Sequence, residues 1–173
     1  MSYTLRPATL ADAPALSAFA SAHFPDSTPP IVSSEHIEVF VSENLDEASF
    51  THFLETGSHS FTLAVDKNDD IIAYAGIDHT ASQPDEVPGD AAYLSKFYLS
   101  AETRGTGLAR ELMQSVISEA RADGKDGLHL RTPQLNHRAQ AFYEKVGFSQ
   151  VGECPFHLTE TVTVQDYIYH LPL

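Results

Sequence analysis

The sequence predicts an α+β fold, with one mixed, mostly antiparallel central sheet flanked by helices. Three observations carry that expectation. Two apolar runs, "SFTLAVD" and "IIAYAGID", flank the turn signal "KNDD" and read as an antiparallel hairpin. A strand-like run, "AYLSKFYLS", passes through a glycine-containing turn directly into a helical pattern. The chain then closes on two more strand-like runs, so strands and helices come in mixed order. With 173 residues, 42% of them apolar, one ordinary domain over residues 1–173 can bury a sizeable core.

The elements follow in order. "YTLRP", Tyr3 to Pro7, reads as a short first strand. Thr9 and Asp12 resemble a capping box with Asp in place of Glu. Leu10, Ala13, Leu16, Phe19 and Ala20 then fit one helical face, and Pro14 sits early, where a missing N–H is tolerated. "PDSTPP" is a loop. Ser33 and Ser34 can cap a second helix carrying Ile37, Phe40 and Val41. Asp46 can cap a third, with Phe50, Phe53 and Leu54, ending at Gly57. The hairpin comes next, then the polar, Pro-rich loop "ASQPDEVPGD", which is too short to separate domains.

After the strand "AYLSKFYLS" a helix is expected from about Gly107 to Asp123, with Leu108, Leu112, Val116, Ile117 and Ala120 on its buried face. Gly124 and Gly127 stop it. "LHLRT" is a short strand, and Asn136 can cap a last helix with Ala139, Phe142, Tyr143 and Val146, closing at Gly147. "FSQVGE" and "VTVQDYIYHL" are the final strands.

Composition excludes several functions. Acidic residues outnumber basic ones 24 to 10, a formal charge of −14 that repels nucleic-acid phosphates and anionic membranes. No apolar run is long enough to span a bilayer, and "MSYTLRPATL" lacks the pattern of a signal peptide. One cysteine, Cys154, fits a reducing compartment, so a cytoplasmic protein is expected. None of the nine His falls in HExxH or a Cys/His zinc spacing, so no metal is expected.

The stretch "RGTGLA", Arg104 to Ala109, carries the functional reading. The first N–H groups of a helix lack internal partners and sit at the positive end of its dipole. Small residues there let a phosphate reach the backbone. Gly107 is followed by Leu108 and Ala109, which excludes a Walker A loop, and Arg110 spoils a dinucleotide fingerprint. A tight turn without a ligand remains open on this stretch alone.

A second segment, "NHRAQAFYEKVGF", lies one strand downstream. Together the two segments resemble the GNAT family of acyl-CoA-dependent N-acyltransferases. Arg104 to Ala109 matches the family signature R/Q-x-x-G-x-G/A at its fixed positions, Arg104, Gly107 and Ala109, and Asn136, Ala139, Phe142, Tyr143, Gly147 and Phe148 match its downstream pattern. "LRPATLAD" is similar to the family's first strand and helix.

The resemblance implies acetyl-CoA as co-substrate. Its pyrophosphate would lie on Arg104, Gly105, Thr106, Gly107, Leu108 and Ala109, mainly on backbone donors. Its pantetheine arm would pair like an added strand with Phe97, Tyr98 and Leu99. Asn136 would contact the arm while capping its helix, and Arg138 would face the adenine end or its phosphates. Tyr143 would donate a hydrogen bond or proton to the leaving thiolate, and a backbone N–H near Phe97 would hold the oxyanion. Asp78, His79, Glu102 and His129 are candidates to help deprotonate the amine.

Within the family the chain is similar to bacterial small-molecule acetyltransferases of the spermidine/spermine type, although "LHLRTPQLN" departs from that group's aromatic and acid after the fifth strand. A small-molecule amine, a polyamine among the possibilities, is the expected acceptor. Two alternatives stand beside it: a protein N-terminal or lysyl acetyltransferase, and a non-catalytic CoA-binding regulatory module. Family members are often dimers, sometimes through C-terminal strands, so Val162 to Leu171 is the candidate interface if the chain pairs with itself.

Overall fold

The structure, a computed structural model describing residues 2–173, is organised around one seven-stranded sheet in the order β1-β2-β3-β4-β5-β7-β6. The strands are β1 (Tyr3–Pro7), β2 (His59–Asp66), β3 (Ile71–Asp78), β4 (Ala91–Leu99), β5 (Gly127–Pro133), β6 (Ser149–His157) and β7 (Thr163–Pro172). Every neighbouring pair is antiparallel except β4 with β5. The helices are α1 (Ala13–His23), α2 (Ser34–Asn44), α3 (Glu47–Thr56), α4 (Leu108–Ala122) and α5 (His137–Lys145).

Strand alternation divides the apolar residues between two cores. Phe61, Leu63, Val65 and Tyr74 pack with α1 and α3, whereas Ala64, Ala73, Ala75 and Ile77 pack with α4. The expected α4 face is buried in full, from Leu108 to Ala120. Ser33 and Asp46 cap α2 and α3 with their side chains, and Gly57 ends α3 at φ +67°.

Two details differ from the sequence expectation. The first helix begins at Ala13, because Leu10–Asp12 forms a 3₁₀ turn that leaves Leu10 half exposed. Asp12 is held there by Arg6, whose two guanidinium nitrogens each donate to it at 2.9 Å, and by the Thr9 N–H at 2.7 Å. Gly127 does not stop α4 but opens β5; Gly124, at φ +75°, follows the helix end.

Two irregularities in β4 shape everything near it. First, it pairs with β5 at only three positions, Ala91 with Gly127, Ala92 with Leu128 and Tyr93 with His129. Beyond Tyr93 each strand stays paired with its other neighbour, β4 with β3 to Leu99 and β5 with β7 to Pro133. A wedge therefore opens between them. Second, Leu94 faces Ile77 and Lys96 faces Gly76, so Ser95 is an extra residue, a β-bulge. Past the bulge the alternation is reset. Leu94, Phe97 and Leu99 pack toward α4, while Tyr93, Ser95, Lys96 and Tyr98 line one cavity on the other side.

β7 is paired on both sides, by β5 and β6, so its edges are used within the chain. No helix of the described residues is long and apolar enough to cross a membrane.

Candidate active site

The wedge and the turn after β4 form one cleft. Ser100 donates its N–H to Ile72 at 3.0 Å, which fixes the phase of the β3–β4 ladder. Tyr98 then also faces β3, and the N–H and C=O groups of Phe97 and Leu99 turn into the wedge. The chain next makes a 3₁₀ turn at Ala101–Thr103. Its own hydroxyls tie the turn: Thr103 donates to the Ser100 carbonyl at 2.7 Å and Thr106 to the Thr103 carbonyl at 2.6 Å.

Gly105 and Gly107 have φ of +76° and +90°, a region that side chains strain to enter. A Cβ at either would meet nothing within 4 Å, so the glycines also leave open space outward. Among the described residues no carbonyl accepts from the N–H groups of Gly105, Gly107 or Ala109. These donors and the α4 dipole make an anion cradle, and exposed Arg104 adds a charge beside it.

The cleft has a volume of about 280 Å³ and gathers most of the residues the sequence singled out: Phe97, Tyr98, Leu99, Arg104, Gly105, Gly107, Ala109, Asn136, Arg138 and Tyr143. Thr106 and Leu108 are not among its walls. Leu108 is fully buried under α4, so its side chain serves the core. His23, the last residue of α1, and Asp26 and Ser27, in the 3₁₀ turn that follows it, complete the cleft and had no signal in the sequence.

Asn136 accepts from the Ala139 N–H at 3.2 Å through its side-chain oxygen, which caps α5 and leaves its NH₂ for the cleft. Tyr143 is only 7% exposed and is packed by the rings of Phe142 and Phe148 at 5.6 and 5.7 Å. Phe97 and Tyr169 meet it at 6.3 Å. Burial raises its pKa well above the ordinary phenol value, so the hydroxyl stays protonated and can donate its proton or a hydrogen bond.

A second cavity, of about 270 Å³, lies beyond β4 and shares Ser27 and Tyr98 with the first. Its apolar wall includes Phe24 and Phe40, stacked at 4.6 Å, with Phe156 5.6 Å from Phe40. Its polar wall holds Lys96, Arg131, Asp78, Asp166, His59, Tyr93 and Ser95. Burial lowers Lys96 to about 8, so it is still mostly a cation at neutral pH. Its Nζ lies 5.3 Å from the Phe53 ring centre, and the Arg131 guanidinium lies 5.8 Å from that of Tyr93. Neither cation is in an ion pair among the described residues.

Asp166 is 4% exposed and its Oδ1 has no hydrogen-bond partner. Burial lifts its carboxyl to about 6, against the opposing pull of Arg131. Asp78 is committed differently. Its Oδ1 accepts from the Thr80 N–H and hydroxyl, both at 2.8 Å, and from the Ala81 N–H at 3.2 Å, while Oδ2 lies 3.6 Å from His59 Nε2.

Of the four groups considered for deprotonating the amine, only Asp78 lines this cavity. His79 is exposed and bonded to Ser60 at 2.9 Å, and Glu102 is exposed in the turn. His129 is buried, stacked on Tyr93 at 4.8 Å, and lowered to about 4 by burial. His79, Glu119 and Asp123 bring possible metal-ligand atoms within 4.8 Å of one another, but none of the three lines either cavity.

Known proteins resemble this chain in sequence and in fold. The model of the acetyltransferase (GNAT) family matches residues 24–148. An uncharacterized N-acetyltransferase of Mycobacterium tuberculosis is 36% identical over 151 residues, which cover 86% of this chain and 90% of the relative. Human N-acetyltransferase 8B is 36% identical over 85 residues, 46% of this chain and 37% of the relative. Among solved structures, the PaiA N-acetyltransferase of Thermoplasma acidophilum, in complex with coenzyme A, gives a TM-score of 0.80 at 19% identity, covering 100% of both chains. Arabidopsis thaliana NAA60, in complex with a bisubstrate analogue, gives 0.73 at 16% identity, covering 99% of both.

The buried carboxyl sets a pH dependence with a definite sign. Asp166 is lifted from 3.8 to about 6, so ionising it in the folded protein costs stability as pH rises through that value. Relative to wild type, Asp166→Asn is therefore expected to gain about 1–3 kcal/mol between pH 4 and pH 8, measured by urea unfolding at each pH. A difference that does not change with pH contradicts the assignment of a strained, buried carboxylate.

Proposed function

The chain belongs to the GNAT family of acetyltransferases and is an acetyl-CoA-dependent acyltransferase, and on that premise we propose that it acetylates the primary amine of a small molecule seated in the cavity lined by Lys96 and Asp166. The observation that carries this reading is the meeting of two cavities at Ser27 and Tyr98, one suited to acetyl-CoA and one to the acceptor.

The cofactor side fits acetyl-CoA on three counts: free N–H groups at the start of α4, glycines that leave room for a phosphate, and unpaired β4 backbone along the wedge. Gly105, Gly107 and Ala109 would hold the pyrophosphate, with Arg104 beside them, and Phe97 and Leu99 would pair with the pantetheine amides. Bound acetyl-CoA supplies the acetyl group as a thioester. The Phe97 N–H is the candidate donor for the charge that develops on the carbonyl oxygen. Tyr143, kept protonated by burial, donates to the departing sulfur.

The acceptor arrives as an ammonium, since a Lys-like amine titrates near ~10.4. Asp166 is the buried carboxylate of the cavity with a free oxygen, and it can receive the ammonium and take its proton. Half-buried Cys154 is consistent with action in the cytoplasm.

Tyr143→Phe is expected to lower kcat by about 10²-fold or more while acetyl-CoA still raises the melting temperature. Unchanged turnover would remove Tyr143 as the donor. Gly107→Glu, with its fold checked by circular dichroism, is expected to lose the acetyl-CoA-induced rise in melting temperature. A retained rise would place the pyrophosphate elsewhere.

A further inference from the structure

The chain carries a formal charge of −14, yet the acceptor cavity does not share that bias. Its charged walls are Lys96 and Arg131 against Asp78 and Asp166. A polyamine gains from a site dominated by acids, because each of its cations needs an anionic partner or water. Here two cations would face it instead.

The three groups with unused capacity define what fits. Lys96 and Arg131 lie over aromatic rings and have no carboxylate partner among the described residues. Asp166 presents a buried Oδ1 with no donor. Asp78 makes the weaker demand: its Oδ1 is taken by Thr80 and Ala81, and its Oδ2, 3.6 Å from His59, belongs to a side chain more exposed than the buried Asp166. Arg131 and Asp166 sit close on one face: Asp166 pairs with Pro133 across the β5–β7 ladder, two residues beyond Arg131. The cavity thus offers cationic donors and one anionic acceptor at a separation of neighbouring side chains, beside an aromatic wall of Phe24, Phe40 and Phe156.

We infer that the acceptor is a free α-amino acid with an apolar side chain, bound as a zwitterion. This rests on the proposed amine acetylation. The carboxylate meets Arg131 and Lys96, the ammonium meets Asp166, and the side chain lies on the aromatic wall. Acetyl transfer then forms the N–C bond and breaks the C–S bond, and the sulfur leaves with the bonding electron pair. Of the two protons the ammonium gives up, one ends on the sulfur and one is released through Asp166.

The test is coenzyme A release from acetyl-CoA with three sets of amines: the protein amino acids, their α-carboxamides, and spermidine with spermine. The wild type is expected to favour apolar amino acids such as L-phenylalanine over both other sets by at least about tenfold in kcat/KM, the order of one charge-assisted hydrogen bond. Arg131→Gln is expected to reduce the L-phenylalanine to L-phenylalaninamide ratio by at least about tenfold, and Arg131→Lys to keep part of it. Retention of the acetyl-CoA melting shift shows that each variant is folded. Preference of the wild type for the amides, the expected outcome for a protein N-terminal acetyltransferase, overturns the inference. So does preference for the polyamines, or a ratio unchanged in Arg131→Gln, and in each of those cases amine acetylation itself stands. Release with none of the three sets defeats amine acetylation and this inference together.

Discussion

The early parting of β4 from β5 is the constraint on which the rest of the site depends. At the closed end of the wedge Ala91 faces Gly127, Ala92 faces Leu128 and Tyr93 faces His129, so only the first pair is small on both strands. A Cβ on Gly127 would come within 2.6 Å of His170 Nε2 and 3.3 Å of Ala91 Cβ, so glycine lets the strands meet there without displacing either neighbour. Past Tyr93 the bulge at Ser95 turns β4 away, and its Phe97 and Leu99 backbone groups lose a sheet partner. Unpaired backbone inside a fold is costly unless something else pairs with it. An extended ligand with amides meets that demand, and the α4 N-terminus stands at the end of the same path for its anion.

The same bulge organises the acceptor side. Strict alternation would give Lys96 to the face opposite Ser95. The reset puts Tyr93, Ser95, Lys96 and Tyr98 together, so one strand lines both cavities. Burial then pushes four ionisable groups toward their neutral forms: Tyr98 up to about 12, Tyr143 higher still, Lys96 down to about 8 and Asp166 up to about 6. An acid that holds its proton and a carboxylate that accepts one readily, placed on the two sides of one strand, are what amine acylation requires at neutral pH.

Local chemistry made most of the fold legible. Caps at Ser33, Asp46 and Asn136, the "KNDD" turn, and the apolar face of α4 are each written within a few residues, and each stands where it was expected. The residues of the proposed cofactor cleft could be named for the same reason, since Arg104–Ala109 is one contiguous turn and Asn136–Tyr143 lies on one capped helix. Those of the proposed acceptor cavity could not. His59, Asp78, Lys96, Arg131 and Asp166 come from five strands whose order, β2-β3-β4-β5-β7, no local pattern states. The one hint was a Lys inside the apolar run "YLSKFYL", which alternation alone would have assigned to the wrong face because the bulge lies one residue before it.

The measurement that tests the wedge most directly is residue-resolved amide hydrogen exchange with and without acetyl-CoA. Tyr98 and Ser100 already donate to β3, so their amides are expected to be protected in both states. The amides of Phe97, Leu99, Gly105, Gly107 and Ala109 are expected to exchange quickly alone and to become protected when acetyl-CoA binds. Binding that leaves those five amides unchanged, with protection appearing elsewhere in the chain, would contradict the account that the divergence of β4 from β5 is the seat of the cofactor.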